Sequence, residues 1–524
     1  MPRVLIADKL SPAAVRIFED RGVETDTKTG LSKPELLEII AGYDGLAVRS
    51  ATKVDKDVLA AAKALKVIGR AGIGVDNIDV PAATSAGVVV MNTPFGNSIT
   101  TAEHAIAMMF ALARQLPQAD LSTQAGKWEK NRFMGVELSG KTLGLIGCGN
   151  IGSIVADRAN GLRMKVIAYD PFLSPERAVE IGVEKVELDE LLARADVITL
   201  HTPLTDKTRN ILSREALAKT RKGVMIVNCA RGGLVDEQAL RELLDSGHVG
   251  GAGFDVFVEE PAKQNVLFGA PGFIATPHLG ASTLEAQENV ALQVAEQIAD
   301  FLLTGAVTNA LNSPSISADE APKLRPYISL AEKLGAFAGQ MVDEDLKSVE
   351  IVYEGDLAQV NVKPLTSAAL AGILRPMLAE VNVVSAPAIA KARGVAVSEA
   401  RQELSPTYDS LMRISVVSGR GRVDLAGTVI GGTPRIVQIK GMDLDAPFCP
   451  DMLYVNNYDR PGFIGRLGAL FGDADINIST FYLGRRTDSD DAIALVGVDQ
   501  PPDEPLLDKV KTLPNVKEVR FLRF

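Results

Sequence analysis

The sequence predicts an α/β protein with two doubly wound lobes, each built on a parallel sheet, followed by two smaller domains that mix helices and strands. Three observations predict this. The chain of 524 residues is too long for one hydrophobic core. Short β-branched runs alternate with helical patterns from Val4 to Ile274, which is typical of βαβ units. The last part of the chain reads as β-α-β-β-α-β.

Composition excludes several classes of protein. The net charge of −11 argues against general binding to nucleic acid or anionic membranes, because both need a basic surface. The three cysteines, Cys148, Cys229 and Cys449, form no CxxC pair, which fits a reducing compartment and predicts no metal site. No leader-like or membrane-spanning apolar run is present, so we expect a cytoplasmic protein.

The first lobe is predicted from five strand-like runs that alternate with helices, in the style of a flavodoxin-like fold. Helix starts are marked by Ser11 before Pro12 and by Ser32 before Pro34, a capping residue followed by an early proline. The unit ends near Asn97, where a long apolar helix, TTAEHAIAMMFALARQL, leads to the second lobe.

The second lobe is organised around residues 141–170, where a strand, a glycine turn, a helix and a strand ending in an acid follow one another. Gly147 allows the tight turn, Gly149 lets backbone approach a pyrophosphate, and Gly152 lets the helix pack on the strand. The phosphates would bind at the helix N-terminus. Asp170 would bind the adenosine ribose and repel a 2′-phosphate, so the motif predicts a Rossmann domain that binds NAD rather than NADP.

Further strands are predicted to end near Leu200, Val227, Phe254 and Ile274, so that the cleft lies at the carboxyl ends of the strands. A second long helix, which closes the section at Gly305, is expected to return to the first lobe.

A proline-containing segment, residues 310–327, predicts a linker into an α+β region that extends to about residue 450. This region carries many cations: Arg413, Arg420, Arg422, Arg435 and Lys440. We interpret them as solvated charges at strand edges and prefer this interpretation to the alternative, an anion-binding site. The final domain is predicted to be ferredoxin-like, with an amphipathic helix from Phe463 to Phe471.

The four histidines are the candidates for acid/base chemistry near neutral pH. His278 follows FIATP at the carboxyl end of a strand and is the best candidate. His201 follows the strand VITL and is a weaker one. His104 lies in an apolar helix and is interpreted as structural, and His248 as an exposed turn residue.

Two further side chains fit around His278. Arg231 follows the strand GVMIVN, where a guanidinium could grip a carboxylate with two hydrogen bonds. Glu260 could orient the imidazole and favour its protonated form. Spacing alone does not choose between Glu260 and Glu259.

Six motifs give the chain a resemblance to the D-isomer specific 2-hydroxyacid dehydrogenase family, over essentially its whole length. They are GRAGIGVDN (69–77), GLIGCGNIG (144–152), HTPLT (201–205), NCARGGLVDE (228–237), FDVFVEEP (254–261) and TPHLGAST (276–283). The resemblance implies an NAD-dependent oxidoreductase. It divides the chain into a substrate-binding lobe (1–97 and 283–308), an NAD-binding Rossmann domain (98–282), an intervening domain of the allosteric substrate-binding type (314–450) and an ACT regulatory domain (452–524).

The resemblance also implies roles for individual residues. It assigns catalysis to Arg231, Glu260 and His278, and so prefers Glu260 to Glu259. Cofactor contacts are expected from the glycine motif and the later strand ends: Gly147, Gly149, Asn150, Ile151, Gly152, Asp170, Thr202, Cys229, Ala230, Arg231, Asp255, His278, Gly280 and Ala281.

The implied substrate is 3-phospho-D-glycerate, oxidised to 3-phosphooxypyruvate in the first step of L-serine biosynthesis. Its phosphate needs cations that a plain 2-hydroxyacid site lacks. The expected substrate contacts are Arg49, Ser50, Arg70, Gly72, Ile73 and Gly74, with Arg132 or Lys130 from a neighbouring subunit. Two alternatives stay open: a dehydrogenase of 2-hydroxyglutarate or another 2-hydroxyacid, whose distal carboxylate the same cations could hold, and a non-catalytic NAD(H)-sensing scaffold.

The last domain resembles ACT domains, which sense small molecules and pair edge to edge with a copy of themselves. The resemblance implies L-serine as an effector, bound by Asn457, Asp459 and Asn477. Edge pairing and shared loops lead us to expect a homotetramer.

Overall fold

The computed structural model describes residues 1–342, 345–378, 381–405, 407–419, 421–486 and 489–524. These residues form four sheets. The first two are parallel throughout and the last two are mainly antiparallel, so the predicted fold class is confirmed.

The first sheet has the strand order β2-β1-β3-β4-β5, with helices between successive strands. Its elements are β1 (Arg3–Ile6), α1 (Pro12–Asp20), β2 (Glu24–Thr27), α2 (Lys33–Ile39), β3 (Gly45–Val48), α3 (Lys56–Ala61), β4 (Val67–Arg70), α4 (Val80–Ser85) and β5 (Val89–Asn92). Ser11 accepts a hydrogen bond from Ala13 N, and Ser32 forms a reciprocal cap with Glu35, as the sequence predicted for both helix starts.

Two consecutive helices, α5 (Ser98–Arg114) and α6 (Leu116–Gln124), lead to the second sheet. Its strand order is β12-β11-β10-β9-β6-β7-β8. The elements are β6 (Thr142–Ile146), α7 (Asn150–Gly161), β7 (Lys165–Tyr169), α8 (Pro175–Glu180), β8 (Glu184–Lys185), α9 (Leu188–Arg194), β9 (Val197–Leu200), α10 (Arg214–Ala218), β10 (Val224–Asn228), α11 (Glu237–Asp245), β11 (Val249–Phe254) and β12 (Phe273–Ala275).

The long helix α12 (Leu284–Thr304) follows β12 and returns to the first sheet. Its buried face, which includes Val290, Val294 and Ile298, packs in one core with Val4 and Val67. The chain therefore crosses between the lobes twice, once before β6 and once after β12.

The linker is shorter and more ordered than predicted. Helix α13 (Ala321–Met341) begins inside the segment assigned to the linker and contains Pro326. In the turn just before the helix, the Ser317 side chain and backbone N–H donate to the carboxylate of Glu320, which is the N-cap residue. The prediction that residues 310–327 are all linker is therefore wrong for residues 321–327, because the prolines stand early in the helix, where packing of the apolar face compensates for the missing N–H group.

The third sheet has the order β14-β13-β15-β16-β17-β18 and carries α13 and α14 on one face. Its further elements are β13 (Leu346–Gly355), α14 (Lys363–Leu374), α15 (Ala386–Ala392), β14 (Ala396–Gln402), β15 (Ser410–Ser418), β16 (Gly421–Ile430), β17 (Thr433–Ile439) and β18 (Met442–Pro447).

The fourth sheet has the order β20-β21-β19-β22 and the predicted β-α-β-β-α-β sequence of elements. They are β19 (Asp451–Tyr458), α16 (Phe463–Asp473), β20 (Ile478–Arg485), β21 (Asp491–Val498), α17 (Glu504–Lys511) and β22 (Val516–Arg523). The sheet face without helices packs against the third sheet's helix layer, so that Tyr454 and Leu495 share a core with Phe337.

Among the described residues, no helix combines the length and apolarity needed to cross a membrane. The same residues contain no group of three or more His, Cys, Asp or Glu side chains that could hold a metal ion. Of the cations singled out in the α+β region, Arg420 lies outside the described residues.

Candidate active site

The candidate residues lie at the carboxyl ends of strands, and some of them follow the strands at which the strand order reverses. In the second sheet the reversal lies between β6 and β9, which are followed by the glycine turn and by His201 and Thr202. In the first sheet it lies between β1 and β3, which are followed by Asp8 and Arg49. Ligands of open α/β sheets bind at such crevices.

The glycine turn has the conformation and the free space that a dinucleotide needs. Gly147 has a φ of +94°, and a Cβ atom there would lie 2.6 Å from the His201 carbonyl oxygen. A Cβ atom at Gly152 would lie 2.3 Å from the Gly147 carbonyl oxygen. At Gly149, by contrast, a Cβ atom would meet nothing within 4 Å. Two glycines are thus required by internal packing, and the third faces open space, where a pyrophosphate could approach.

The N-terminus of α7 is available to an anion. Its N-cap residue is Gly149, so no side chain caps the first N–H groups, which Asn150 and Ile151 present at the helix start. Asp170 stands beside the turn, with one carboxylate oxygen 2.8 Å from Cys148 N and the other 2.8 Å from Phe172 N. These residues fit NAD, with an anion site at the helix and a fixed carboxylate at the ribose position.

His278 and Glu260 form a hydrogen-bonded pair at the carboxyl end of the second sheet. Nδ1 of His278 lies 2.6 Å from Oε2 of Glu260, and the other Glu260 oxygen accepts a hydrogen bond from Phe257 N at 3.0 Å. The imidazole is half exposed, and among the described residues no hydrogen-bond partner is recorded for its Nε2 atom. His278 has a φ of +56°, an uncommon conformation for a residue with a Cβ atom. A carboxylate that fixes one nitrogen and leaves the other free is the arrangement of a general acid/base.

Arg231 joins the two lobes. Its Nε atom lies 3.3 Å from Oδ2 of Asp76 in the first lobe, and its side chain is 29% exposed. A Cβ atom at Gly74 would come within 1.8 Å of the guanidinium, so only glycine permits this approach. Asn228 fixes the loop of Arg231, because its side chain donates to the Arg231 carbonyl oxygen at 2.9 Å.

Three arginines, Arg49, Arg70 and Arg231, lie close enough to influence one another. Burial, together with the charges of Arg231 and Arg49, lowers the pKa of Arg70 to about 10, although the charge of Asp76 opposes this shift. At neutral pH all three are cations. In the described part of the chain, the Arg49 guanidinium has no hydrogen-bond or ion-pair partner.

Two carboxylates, those of Asp8 and Asp76, act on Arg70 and partly offset the positive charge of the cluster. Asp8 is buried, and its oxygens accept hydrogen bonds from the Arg49 N–H group and from Thr52. Asp76 is 76% exposed. The cluster therefore keeps excess positive charge that a ligand with two anionic groups could neutralise.

The loop that contains Gly72, Ile73 and Gly74 lies beside these cations. Gly72 has a φ of +152°, and a Cβ atom there would lie 2.4 Å from the Arg70 guanidinium. Among the described residues, no group accepts a hydrogen bond from Ile73 N or Gly74 N. These N–H groups could therefore bind a ligand's oxygen. Ser50, which follows Arg49, is exposed.

Asp255 holds the loop that follows His278. Its fully buried carboxylate accepts hydrogen bonds from Leu279 N at 2.7 Å, Gly280 N at 2.8 Å and the Thr276 hydroxyl. Burial alone would raise the pKa of Asp255, yet the hydrogen bonds from His104 and these groups hold it below its usual value. His104 lies 3.3 Å from the same carboxylate, consistent with its interpretation as structural.

Other predicted cofactor residues follow strands of the second sheet or stand next to residues already described. Thr202 follows β9, Ala230 precedes Arg231, and Ala281 follows Gly280. Cys229 is buried, and burial raises the pKa of its thiol, so that it stays neutral. Burial also lowers the pKa of His201 to about 4, which makes it neutral and unsuited to proton transfer near pH 7.

One sequence interpretation, that of His248, needs correction. Among the described residues, one predicted substrate residue, Arg132, does not contact the three clustered arginines. His248 is half-buried rather than exposed, because its Nε2 atom lies 3.1 Å from the Thr220 hydroxyl oxygen. Arg132 lies in an exposed loop and binds Glu129 at 3.0 Å; within the described chain it contacts none of the three clustered arginines.

The three predicted effector residues do not converge within one chain. Asn457 is 2% exposed, with Nδ2 bonded to the Tyr458 carbonyl oxygen at 2.9 Å. Asp459 pairs with Arg485, and Asn477 bonds Asp499. Because β19 and β20 both pair antiparallel with β21, Asp459 and Asn477 lie at opposite ends of the sheet.

Sequence reasoning missed several polar residues that support the site. They all follow strands or stand beside motif residues: Asp8, Asp76, Asn77, Asn92 and Asn228. Asn77, for example, donates to the carbonyl oxygens of Arg49 and Thr52 and accepts from Arg70 Nε at 3.2 Å. The sequence signal that could have found them is a polar residue at or near the carboxyl end of a strand. Many of the groups to which they are hydrogen-bonded are distant in sequence.

Comparisons with known proteins agree with this architecture. Residues 106–280 match the model of the D-isomer specific 2-hydroxyacid dehydrogenase NAD binding domain, which confirms the predicted cofactor. Residues 323–440 match the D-3-phosphoglycerate dehydrogenase intervening domain, and residues 452–515 match the ACT domain.

Among relatives, the chain is 44% identical to the D-3-phosphoglycerate dehydrogenase of Methanocaldococcus jannaschii, with 100% of each chain covered. It is 42% identical to that of Bacillus subtilis, over 100% of this chain and 99% of the relative. Among solved structures, D-lactate dehydrogenase from Escherichia coli matches with a TM-score of 0.53 and 30% identity, over 59% of this chain and 100% of that one. The chain therefore belongs to the D-isomer specific 2-hydroxyacid dehydrogenase family, in the group of D-3-phosphoglycerate dehydrogenases that carry an intervening domain and an ACT domain.

Proposed function

We propose that this protein oxidises 3-phospho-D-glycerate to 3-phosphooxypyruvate with NAD⁺, the first step of L-serine biosynthesis. The observation that carries the proposal is the cluster of Arg49, Arg70 and Arg231, in which Arg231 follows a strand next to those that precede the His278–Glu260 pair. A substrate with a phosphate and a carboxylate brings the charge that this cluster lacks. The full-length relatives bear the same activity in their names.

In the proposed binding mode, Arg231 grips the substrate carboxylate, and Arg49, Arg70 and Ser50 bind the phosphate. The N–H groups of Ile73 and Gly74, which lack partners among the described residues, bind the carboxylate or the C2 oxygen. Arg231 touches the first lobe through Asp76 and Gly74, so substrate bound there contacts both lobes at once. Binding thereby favours closure of the cleft, which excludes water and aligns the reacting groups.

In the proposed chemistry, His278 accepts the C2 hydroxyl proton at Nε2 while C2 loses hydride. NAD⁺, when bound along residues 147–170, supplies the hydride acceptor. Glu260 holds Nδ1 of His278 at 2.6 Å, which orients the ring and stabilises the imidazolium that results. In the reverse direction the protonated His278 returns the proton to the C2 oxygen.

Asp170 supports NAD as the cofactor over NADP. Both of its oxygens are fixed by backbone N–H groups, so the carboxylate cannot turn away from the ribose position. A 2′-phosphate would meet this negative charge.

Serine regulation and a homotetramer belong to the same proposal. Asp459 and Asn477 lie at opposite ends of one ACT sheet, so one serine molecule can reach both only where two copies meet. The sheet has two edge strands, β20 and β22, and pairing of an edge strand between two copies would be such a meeting point. A second contact between copies is supported by exposed apolar side chains of α5, α6 and the following loop: Phe110, Leu116, Leu121, Trp128 and Met134. Lys130 or Arg132 of this loop would reach the neighbouring copy's cleft.

We further propose the domain division 1–97 with 283–308, 98–282, 314–450 and 452–524. The two crossings between sheets, before β6 and after β12, support the first two boundaries. A cytoplasmic location is supported by the three cysteines, all of which are free.

One assay tests the reaction. NADH formation is followed with 3-phosphoglycerate, glycerate, 2-hydroxyglutarate and lactate at equal concentrations. The proposal expects kcat/KM for 3-phosphoglycerate to exceed that for glycerate by about 10²-fold, the scale of a charge-assisted phosphate contact. A higher kcat/KM for 2-hydroxyglutarate than for 3-phosphoglycerate would assign the cluster to a distal carboxylate and overturn the proposal.

A further inference from the structure

Asn92 is hydrogen-bonded to the loop of Gly72, Ile73 and Gly74, which is called the substrate loop because it is proposed to bind the substrate. Asn92 ends β5, is 8% exposed, and its Nδ2 atom donates a hydrogen bond to the Ile73 carbonyl oxygen at 2.6 Å. The next residue, Thr93, donates its backbone N–H to the Gly72 carbonyl oxygen at 3.1 Å. Two consecutive residues at the end of β5 therefore fix the carbonyl groups of the loop.

The hydrogen bond from Asn92 decides where the loop's N–H groups point. Because the peptide plane is rigid, fixing the Ile73 carbonyl oxygen also fixes the orientation of the Gly74 N–H group. A loop with two glycines has more conformational freedom than most, so it needs such a restraint to present its donors in one direction. The inner side of the loop is bonded, and its N–H groups remain available to a ligand.

Asn92 is itself held by the chain that follows α12. Its backbone N–H donates to the Asn309 carbonyl oxygen at 3.2 Å, and Leu311 N donates to the Val90 carbonyl oxygen at 2.9 Å. Asn312 completes this edge, because its side chain accepts from Val90 N at 2.9 Å and donates to the Val88 carbonyl oxygen at 2.9 Å. Strand β5, at the edge of its sheet, is thus covered and immobilised by residues 309–312.

We propose that Asn92 is a positioning residue for the substrate, which sets the direction of the Gly74 N–H group without touching the reacting atoms. The inference rests on the proposed function, because it assumes that this loop binds the substrate. It assigns the side-chain amide a role in substrate affinity beyond the stability of β5.

The test compares Asn92→Asp with Asn312→Asp. Both variants replace an amide donor that bonds at β5 by a carboxylate of the same shape; Asn92 is buried and Asn312 is half-buried, and only Asn92 bonds to the substrate loop. For N92D we expect the KM for 3-phosphoglycerate to rise about tenfold or more, because the carboxylate repels the Ile73 carbonyl oxygen. The Kd for NADH, measured by fluorescence, should stay within about twofold. N312D should lower Tm and leave KM within about twofold.

A second measurement does not depend on the substrate. Hydrogen exchange at the bonded N–H groups of Ala71, Gly72 and Thr93 reports the order of the loop in the free protein. N92D should accelerate this exchange about tenfold, and N312D should not.

The outcomes separate the inference from the proposed function. Inactivity of the wild-type protein on 3-phosphoglycerate would reject the function, while exchange in N92D would still test the restraint. If the wild-type protein is active and N92D keeps its KM, the inference is overturned. An equal rise of KM in N312D would also overturn it, because it would show a general effect of loosening β5.

Discussion

The cations of the candidate active site and those singled out in the C-terminal half differ in their partners. Among the described residues, Arg49 and Arg70 form no ion pair with a carboxylate, and the recorded ion pair of Arg231 is with the exposed Asp76. In the C-terminal half, each cation singled out from the sequence and described by the structure is paired. Arg413 binds the buried Glu354, Arg422 binds Asp424, Arg435 binds Asp445, and Lys440 lies 3.5 Å from Glu518.

The difference distinguishes cations that a bound anionic ligand could neutralise from cations that a neighbouring carboxylate already neutralises. An incompletely neutralised cluster at a strand-end crevice costs free energy through repulsion, which a bound anion relieves. Charges that are paired on a sheet face are already neutralised by their partners, so a bound anion would relieve no repulsion there. Local pairing, more than the number of cations, therefore indicates where an anionic substrate binds.

The largest expected effect is at His278. We expect His278→Asn to lower kcat by about 10²- to 10⁴-fold, because the proposed acceptor of the proton is lost. His248→Asn is the matched control, since this half-buried histidine bonds Thr220 away from the cleft. Steady-state NADH formation measures both variants. Turnover by H278N near the wild-type value would contradict the acid/base assignment.

A pair of arginine variants tests the contrast directly. We expect Arg70→Ala to raise KM for 3-phosphoglycerate by about 30-fold, equivalent to about 2 kcal/mol for one charge-assisted contact. Because Arg70 is repelled by its neighbours, its removal should not lower Tm strongly.

The opposite pattern is expected for Arg413→Ala. Removing Arg413 leaves Glu354, whose side chain is 4% exposed, without its ion-pair partner. We expect a loss of about 2 kcal/mol in stability, measured by calorimetry, with KM unchanged. A KM effect of R413A larger than that of R70A would reverse the distinction between the two halves.

The smallest effect is expected at Asp170, which binds backbone N–H groups in the free protein. We expect Asp170→Ala to weaken NAD binding by about tenfold and to reduce the preference for NAD over NADP, because the ribose acceptor and the repulsive charge are both lost. Isothermal titration with both cofactors checks this. Unchanged affinity for each would show that Asp170 only braces the glycine turn.

The sequence was most informative where one residue type has one physical reason to be present. Gly147 and Gly152 could be read from the strand–turn–helix pattern, because a Cβ atom is sterically excluded at each. The helix starts at Ser11 and Ser32 could also be predicted from the sequence, since each cap is formed by residues that are close together in the chain. The hydrogen bond between Ser317 and Glu320 is equally local, although the prolines nearby favour a linker in the sequence.

By itself, the sequence determined the order of strands and helices, the dinucleotide turn, and the strand ends on which Arg231 and His278 stand. These follow from spacing of a few residues, which local sterics and hydrogen bonds decide. Only the tertiary structure decided which charges are left without partners, that Arg231 touches the loop of Gly74, and that Asn92 restrains Ile73. Those contacts join segments brought together by sheet packing and lobe placement, so their partners are fixed by the whole fold, which no local pattern records.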